Sequence, residues 1–174
     1  MQLKKKNIIN KMKVKFKKLR ENAKLPVKNY EEDFCYDVYA CDCIEVAPNV
    51  YKYPLGFALQ IGDRENFGLQ EWDKGIGFQT YLDKLILDID FRPRSSIHKT
   101  GMVLCNSTGT VDRPYTGEVC AFFYHIMPNM PKYEVGDRVA QMKIGFTLPI
   151  EFEEVEDLEE TDRKDGGFGS TGRN

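Results

Sequence analysis

The chain has 174 residues, 41% hydrophobic and 30% charged, with a formal net charge of −2 and a pI near 5.8. That length favours one domain with a sizeable core, and the near-neutral charge excludes nucleic-acid binding by bulk electrostatics. No apolar run is long enough to cross a bilayer, no secretory leader is evident, and the five cysteines contain no CxxC pair.

Reduced thiols and a cytoplasmic protein are therefore expected, with the host cytoplasm or nucleus as the setting if the source is viral. Residues 4–20 carry many lysines and no acid, whereas 151–160 carry many acids and no base. Residues 1–11 are expected to be a basic extension ahead of a β domain spanning 12–160, with 161–174 as a tail. Val14, Phe16 and Leu19 interleave with lysines and predict a first strand.

Next comes 34–40 (FCYDVYA), an aromatic, β-prone segment with Asp37 inside it. A carboxylate buried there needs partners or a metal; otherwise it caps a turn. Residues 44–47 and 57–61 alternate as strands. The glycine-containing stretch 62–77, with the single tryptophan Trp72, breaks the pattern and reads as a loop. In 85–92 Leu85, Leu87, Ile89 and Phe91 share one face, opposite Asp88, Asp90 and Arg92. This strand runs into Pro93-Arg94-Ser95-Ser96, where a guanidinium and two hydroxyls offer donors suited to phosphate oxygens.

Two β-prone runs, 102–105 and 119–124, flank NSTGTVDRPYTGEV at 106–119 and predict a hairpin. Its carboxylate, Asp112, is expected to be buried among Gly109, Pro114, Thr116 and Gly117, with Tyr115 beside it. Asp112 is either a turn residue bonded to its own backbone or a carboxylate facing a ligand. A turn at 133–138 leads into a strand at 139–144, where Gln141 is either a buried strand amide or a ligand donor. His98 and His125 read as surface groups or satisfied partners, not catalysts. The final stretch, 163–172, holds four glycines around Phe168. It is either a tail without fixed structure or a lid whose backbone N–H groups and Arg163 hold phosphate while Phe168 stacks on a base. Roughly eight to ten short strands and no amphipathic helix predict an all-β sandwich or barrel.

In this order, 34–38, 93–96, 109–119, 136–141 and 163–172 resemble the five motifs of the trimeric dUTPases, across about residues 12–61 and 85–174. The resemblance implies a jelly-roll-like subunit in a homotrimer, with sites at subunit interfaces completed by a neighbour's C-terminal tail. It implies Mg²⁺-dependent hydrolysis of dUTP to dUMP and pyrophosphate, which clears dUTP and supplies dUMP for dTMP synthesis. Asp112 is then the general base for water attack at the α-phosphorus, and Asp37 lies near Mg²⁺ through water. Arg94, Ser95, Ser96, Gln141 and Arg163 meet phosphates, joined from the tail by Gly169, Ser170 and Thr171. Asn106 and the hairpin backbone at Gly109 and Val111 bind uracil, Tyr115 packs on deoxyribose, and Phe168 covers the base. These roles suit the chemistry: cations offset the triphosphate before an anionic base approaches, and a close-fitting hairpin rejects a 5-methyl group.

Cys35 and Lys164 stand where the family usually has Gly, Arg113-Pro114 replaces a commonly acidic pair, and 62–84 is an insert longer than the usual connection by roughly twenty residues. The related dCTP deaminases need a Glu where this chain has Phe122, which disfavours deamination. A non-catalytic regulatory protein on the same scaffold, using the Trp72 insert, is the other alternative. A nucleic-acid contact through 4–20 rests on charge alone.

Overall fold

The computed structural model describes residues 14–61 and 86–162. The expectations for the 1–11 extension, the 62–84 insert and the 163–174 tail lie outside the described residues.

Alternating hydropathy becomes alternating burial. Along Ile86–Arg92 (β6) the side chains of Leu87, Ile89 and Phe91 are buried while Asp88, Asp90 and Arg92 turn outward, as the two-residue period of a strand requires. The other strands are Val14–Lys18 (β1), Tyr36–Tyr39 (β2), Ile44–Ala47 (β3), Val50–Pro54 (β4) and Phe57–Ile61 (β5), followed after β6 by Met102–Leu104 (β7), Gly109–Val111 (β8), Cys120–His125 (β9) and Arg138–Thr147 (β10). They form two four-stranded antiparallel sheets, β2-β10-β6-β8 and β3-β4-β9-β7, and β1 pairs separately with β5. The jelly-roll-like all-β expectation holds. Among the described residues the helical element is a 3-10 turn at Ser95–Lys99.

The two sheets enclose an aromatic centre. Tyr53, Phe123 and Tyr133 meet edge to face, with ring centroids 5.7 Å apart for Tyr53–Phe123 and 5.3 Å for Phe123–Tyr133. The Tyr53 hydroxyl donates to the Tyr133 carbonyl at 2.9 Å, so its polar tip is satisfied inside the core. Strand β10 binds this core to the functional end. It pairs with β6 from Gln141↔Arg92 to Thr147↔Ile86 and with β2 through Gln141↔Asp37.

Two strands are additions to the sequence reading. Strand β4 (VYKYP) lacks a clean hydropathy alternation, and β8 is only three residues long. The predicted hairpin exists as β7 against β9, with Leu104↔Phe123 in register. Its connection is more than a turn: β8 leaves this sheet and pairs with β6 in the other, Val111↔Ile89. Asp112, expected to be buried, is exposed at the end of β8. Crossing between sheets carries the chain over the rim, where the carboxylate meets solvent.

Phe123 is fully buried between the two tyrosines. Phe123→Ala is predicted to lower stability by about 3–5 kcal/mol through lost burial and a cavity, read from urea unfolding at fixed protein concentration.

Candidate active site

A strand that buries an aspartate must satisfy it. Asp37 is 1% exposed in β2. Its Oδ1 accepts from Arg94 Nε and Gln141 Nε2, each at 3.1 Å, and its Oδ2 from Arg138 Nη1 at 3.0 Å and Asn29 Nδ2 at 3.3 Å. Arg138 also donates to Asn29 Oδ1 at 3.2 Å, and Arg94 Nη1 to Ser96 Oγ at 3.2 Å. The backbone of Asp37 is bridged to Val27 in both directions, which holds the 27–29 loop over the carboxylate. Burial pushes the Asp37 carboxyl up. The Gln141 amide, the Arg94 charge and the guanidinium hydrogen bonds outweigh it and hold the group below its ordinary value.

The second half of the site is the hairpin. Its tip closes with Tyr115 N–H donating to the Asp112 carbonyl at 2.9 Å, and the Tyr115 hydroxyl donates back to the Glu118 carbonyl at 2.9 Å. Any side chain at Gly117 would meet the Tyr115 hydroxyl at 2.6 Å, so this glycine is what lets the ring fold onto the turn. Gly109 similarly leaves room for the Asn106 carboxamide, 2.9 Å from where a Cβ would stand. Between the hairpin and the outer face of β4 and β9 lies a cleft of about 460 Å³ lined by Lys52, Thr110, Val111, Asp112, Tyr115, Glu118, Val119, Cys120 and Phe122. That is room for a small nucleoside-sized ligand. Arg20 holds Glu118 in a two-pronged pair, Nε to Oε1 at 2.5 Å and Nη2 to Oε2 at 3.1 Å, and reaches Asp42 at 3.2 Å. This clamp ties the foot of the hairpin to the end of the first strand.

The two halves do not converge. Asp37, Gln141 and Arg92 share one row of the sheet, while Val111 is level with Ile89 three rows away. Asp37 on β2 and Asp112 beyond β8 are thus separated by roughly 14 Å across the sheet and about 13 Å along it. The structure brings Arg94, Ser96, Gln141 and Asp37 together, and it brings Val111, Asp112 and Tyr115 together around the cleft. Ser95 is exposed on the 3-10 turn, and Asn106 is exposed beside Gly109. Arg163, Phe168, Gly169, Ser170 and Thr171 lie outside the described residues.

A family model described as dUTPase matches residues 90–172, which include β8 and the hairpin. A deoxyuridine 5'-triphosphate nucleotidohydrolase from Helicobacter pylori (strain P12) is 32% identical over 162 residues, covering 92% of this chain and 97% of the relative. The chain belongs to the dUTPase family. A relative of the same description from Hydrogenobaculum is also 32% identical, covering 92% and 99%. Among solved structures, the Staphylococcus bacteriophage 80alpha dUTPase with dUPNHPP has the same fold, with a TM-score of 0.65 at 22% identity, covering 92% of this chain and 99% of that one.

The geometry of this dUTPase adds several residues to the sequence reading. Both oxygens of Asp37, the residue expected near Mg²⁺ through water, accept from four protein donors, two of them guanidinium groups, and the carboxylate thereby holds Arg94 and Gln141 in place. Among the described residues no group of three His, Cys, Asp or Glu could hold a metal. A Mg²⁺ held by phosphate oxygens and water needs no protein cage. Sequence reasoning missed Asn29 and Arg138, which complete the Asp37 cluster, and Lys52, Cys120 and Phe122, which wall the cleft. Arg138 had no local signal, because nothing near it in the sequence shows that its strand faces Asp37. Lys52 had none, because it sits in a strand that hydropathy did not reveal.

Replacing Asp37 by Asn strands two guanidinium groups. The predicted loss at neutral pH is on the order of 3 kcal/mol, kept to the lower end because the Arg138 side chain is 40% exposed and screened. With its folded pKa depressed, Asp37 contributes its stability above the unfolded carboxyl value of about 3.9 and loses it as pH falls through the folded value. Urea unfolding as a function of pH should therefore show an acid-side decline in the wild type that is shallower in Asp37→Asn.

Proposed function

We propose that the protein hydrolyses dUTP to dUMP and pyrophosphate, clearing dUTP and supplying dUMP for dTMP synthesis, in the cytoplasm or, for a viral protein, that of its host. The observation that carries the reading is the cleft under the hairpin, with Asp112 and Tyr115 at its mouth, inside the stretch matched by the dUTPase family model. Asp112 accepts the proton of the water that attacks the α-phosphorus, a task one exposed carboxylate performs once the phosphate charge is offset. Tyr115, held over the turn by Gly117, packs against deoxyribose and leaves no space for a 2′-hydroxyl. Asn106 and the backbone at Gly109 and Val111 meet the uracil edge.

Arg94, Ser95, Ser96 and Gln141 serve as the phosphate donors. Donors already fixed by Asp37 cost little reorganisation when the triphosphate arrives. Mg²⁺ bound to the triphosphate supplies further charge neutralisation. Arg163, Phe168, Gly169, Ser170 and Thr171 close the site as a lid from 161–174. The distance between Asp37 and Asp112 supports a homotrimer in which the hairpin of one copy faces the phosphate donors of another. Deamination is disfavoured. Phe122 occupies the position where a proton-carrying Glu is required, and the second carboxylate of the cleft, Glu118, is held by Arg20.

The direct test is pyrophosphate release from dUTP, dTTP, dCTP and UTP side by side with Mg²⁺. Turnover strongly biased to dUTP is expected, and equal turnover of dCTP or release of ammonia would end this reading. Asp112→Asn should cut kcat by at least about a hundredfold while dUTP analogues still bind. Removal of 163–174 should leave assembly intact, measured by light scattering, and abolish most hydrolysis. A fully active truncation would refute the lid.

A further inference from the structure

We propose that Lys52 is a specificity-determining residue that donates a hydrogen bond to the O4 carbonyl of the pyrimidine, distinguishing uracil from cytosine. The inference rests on the dUTP reading above and deepens it. Among the described residues lining the cleft, Lys52 carries the positive charge. The two acidic residues there are differently placed. Glu118 is already clamped by Arg20 at the foot of the hairpin, and Asp112 stands at the tip with Tyr115.

The register then orders the cleft from end to end. Lys52 on β4 is directly opposite Phe122 on β9, and Pro54 opposite Cys120. Glu118, whose carbonyl anchors the Tyr115 hydroxyl, lies four residues before Phe122, or roughly 13 Å along an extended chain. A nucleoside with its sugar on Tyr115 therefore points its base toward Phe122 and Lys52. The walls along that path, Val111, Val119, Cys120 and Phe122, suit a flat apolar ring.

At the far end the Lys52 ammonium lies over the Phe122 ring, 5.9 Å from its centroid, which keeps its charged head at the end of the cleft away from Tyr115. An ammonium has three donors and no acceptor. Uracil presents a carbonyl oxygen at position 4 and is matched. Cytosine presents an amino group there, which leaves donor against donor and a cation beside a positive edge. A site built to hydrogen-bond one group rejects its mismatched analogue strongly. Lys52 thus adds a charged, side-chain criterion to the backbone donors of the hairpin, from a strand outside all five motifs.

The test compares wild type, Lys52→Met and Lys52→Arg in kcat/KM for dUTP and dCTP, with binding of deoxyuridine and dUMP by calorimetry. Met keeps the apolar stem against Phe122 and removes the donor. Lys52→Met is expected to narrow the dUTP-to-dCTP ratio at least about tenfold, the usual worth of a hydrogen bond to a charged group, while Lys52→Arg, still donor-only, stays near wild type. Deoxyuridine and dUMP should weaken by the same factor. Equal loss toward dUTP and dCTP would make Lys52 merely structural and overturn the proposal. Weakened dUMP with unchanged deoxyuridine would assign it to phosphate and overturn it also. If wild type itself fails to hydrolyse dUTP, the functional reading falls, a result distinct from a wild type that is active and a variant whose ratio is unchanged.

Discussion

Four donors converge on one buried carboxylate, and the arrangement of the sheet end around it depends on them. Asp37 receives Arg94, Gln141, Arg138 and Asn29 within 3.3 Å. These partners come from the loop before β2, the turn after β6 and the length of β10, so the interaction fastens three segments that are far apart in sequence. A buried charge is costly unless such partners surround it. Two of these partners, Arg94 and Gln141, are the proposed phosphate donors, and fixing them costs no separate scaffold.

The opposite end of the sheet follows a different logic. Strand β8 is three residues long and is secured by pairing with β6, while Thr110 donates to Asp90 at 2.8 Å. Beyond it the chain turns once, at Asp112–Tyr115, and is pinned again where Val119 exchanges backbone hydrogen bonds with Leu55 and Phe57. A rigid element bounded on both sides can present one exposed carboxylate and one aromatic ring at a constant spacing. These two ends of one sheet are far apart, with the Asp37 cluster at one and the exposed Asp112 at the other.

Much of this was legible in the residues. The alternation of 85–92 located β6 and its buried face, and an aspartate inside the aromatic run 34–40 announced a carboxylate that had to be paired. What the sequence could not carry was pairing at long separation. Gln141 is 104 positions from Asp37, and nothing local to either residue indicates that they face each other. Strand β4 was hidden because Tyr51, Lys52 and Tyr53 show no apolar period, although Tyr53 is fully buried. Asp112 looked buried because apolar strands flank its turn; the excursion of β8 to the other sheet, invisible in composition, moves it to the rim.

The proposal that the hairpin of one copy works with the phosphate donors of another is most directly tested by mixing two variants expected to be inactive, Asp112→Asn and Arg94→Ala, unfolding them together and refolding the mixture. If the hairpin of one copy works with the phosphate donors of another, mixed oligomers contain sites with both an intact Asp112 and an intact Arg94, and dUTP hydrolysis reappears well above the sum of the separate variants. Mixed oligomers, verified by a tag on one variant, that show no more than that sum would contradict the account.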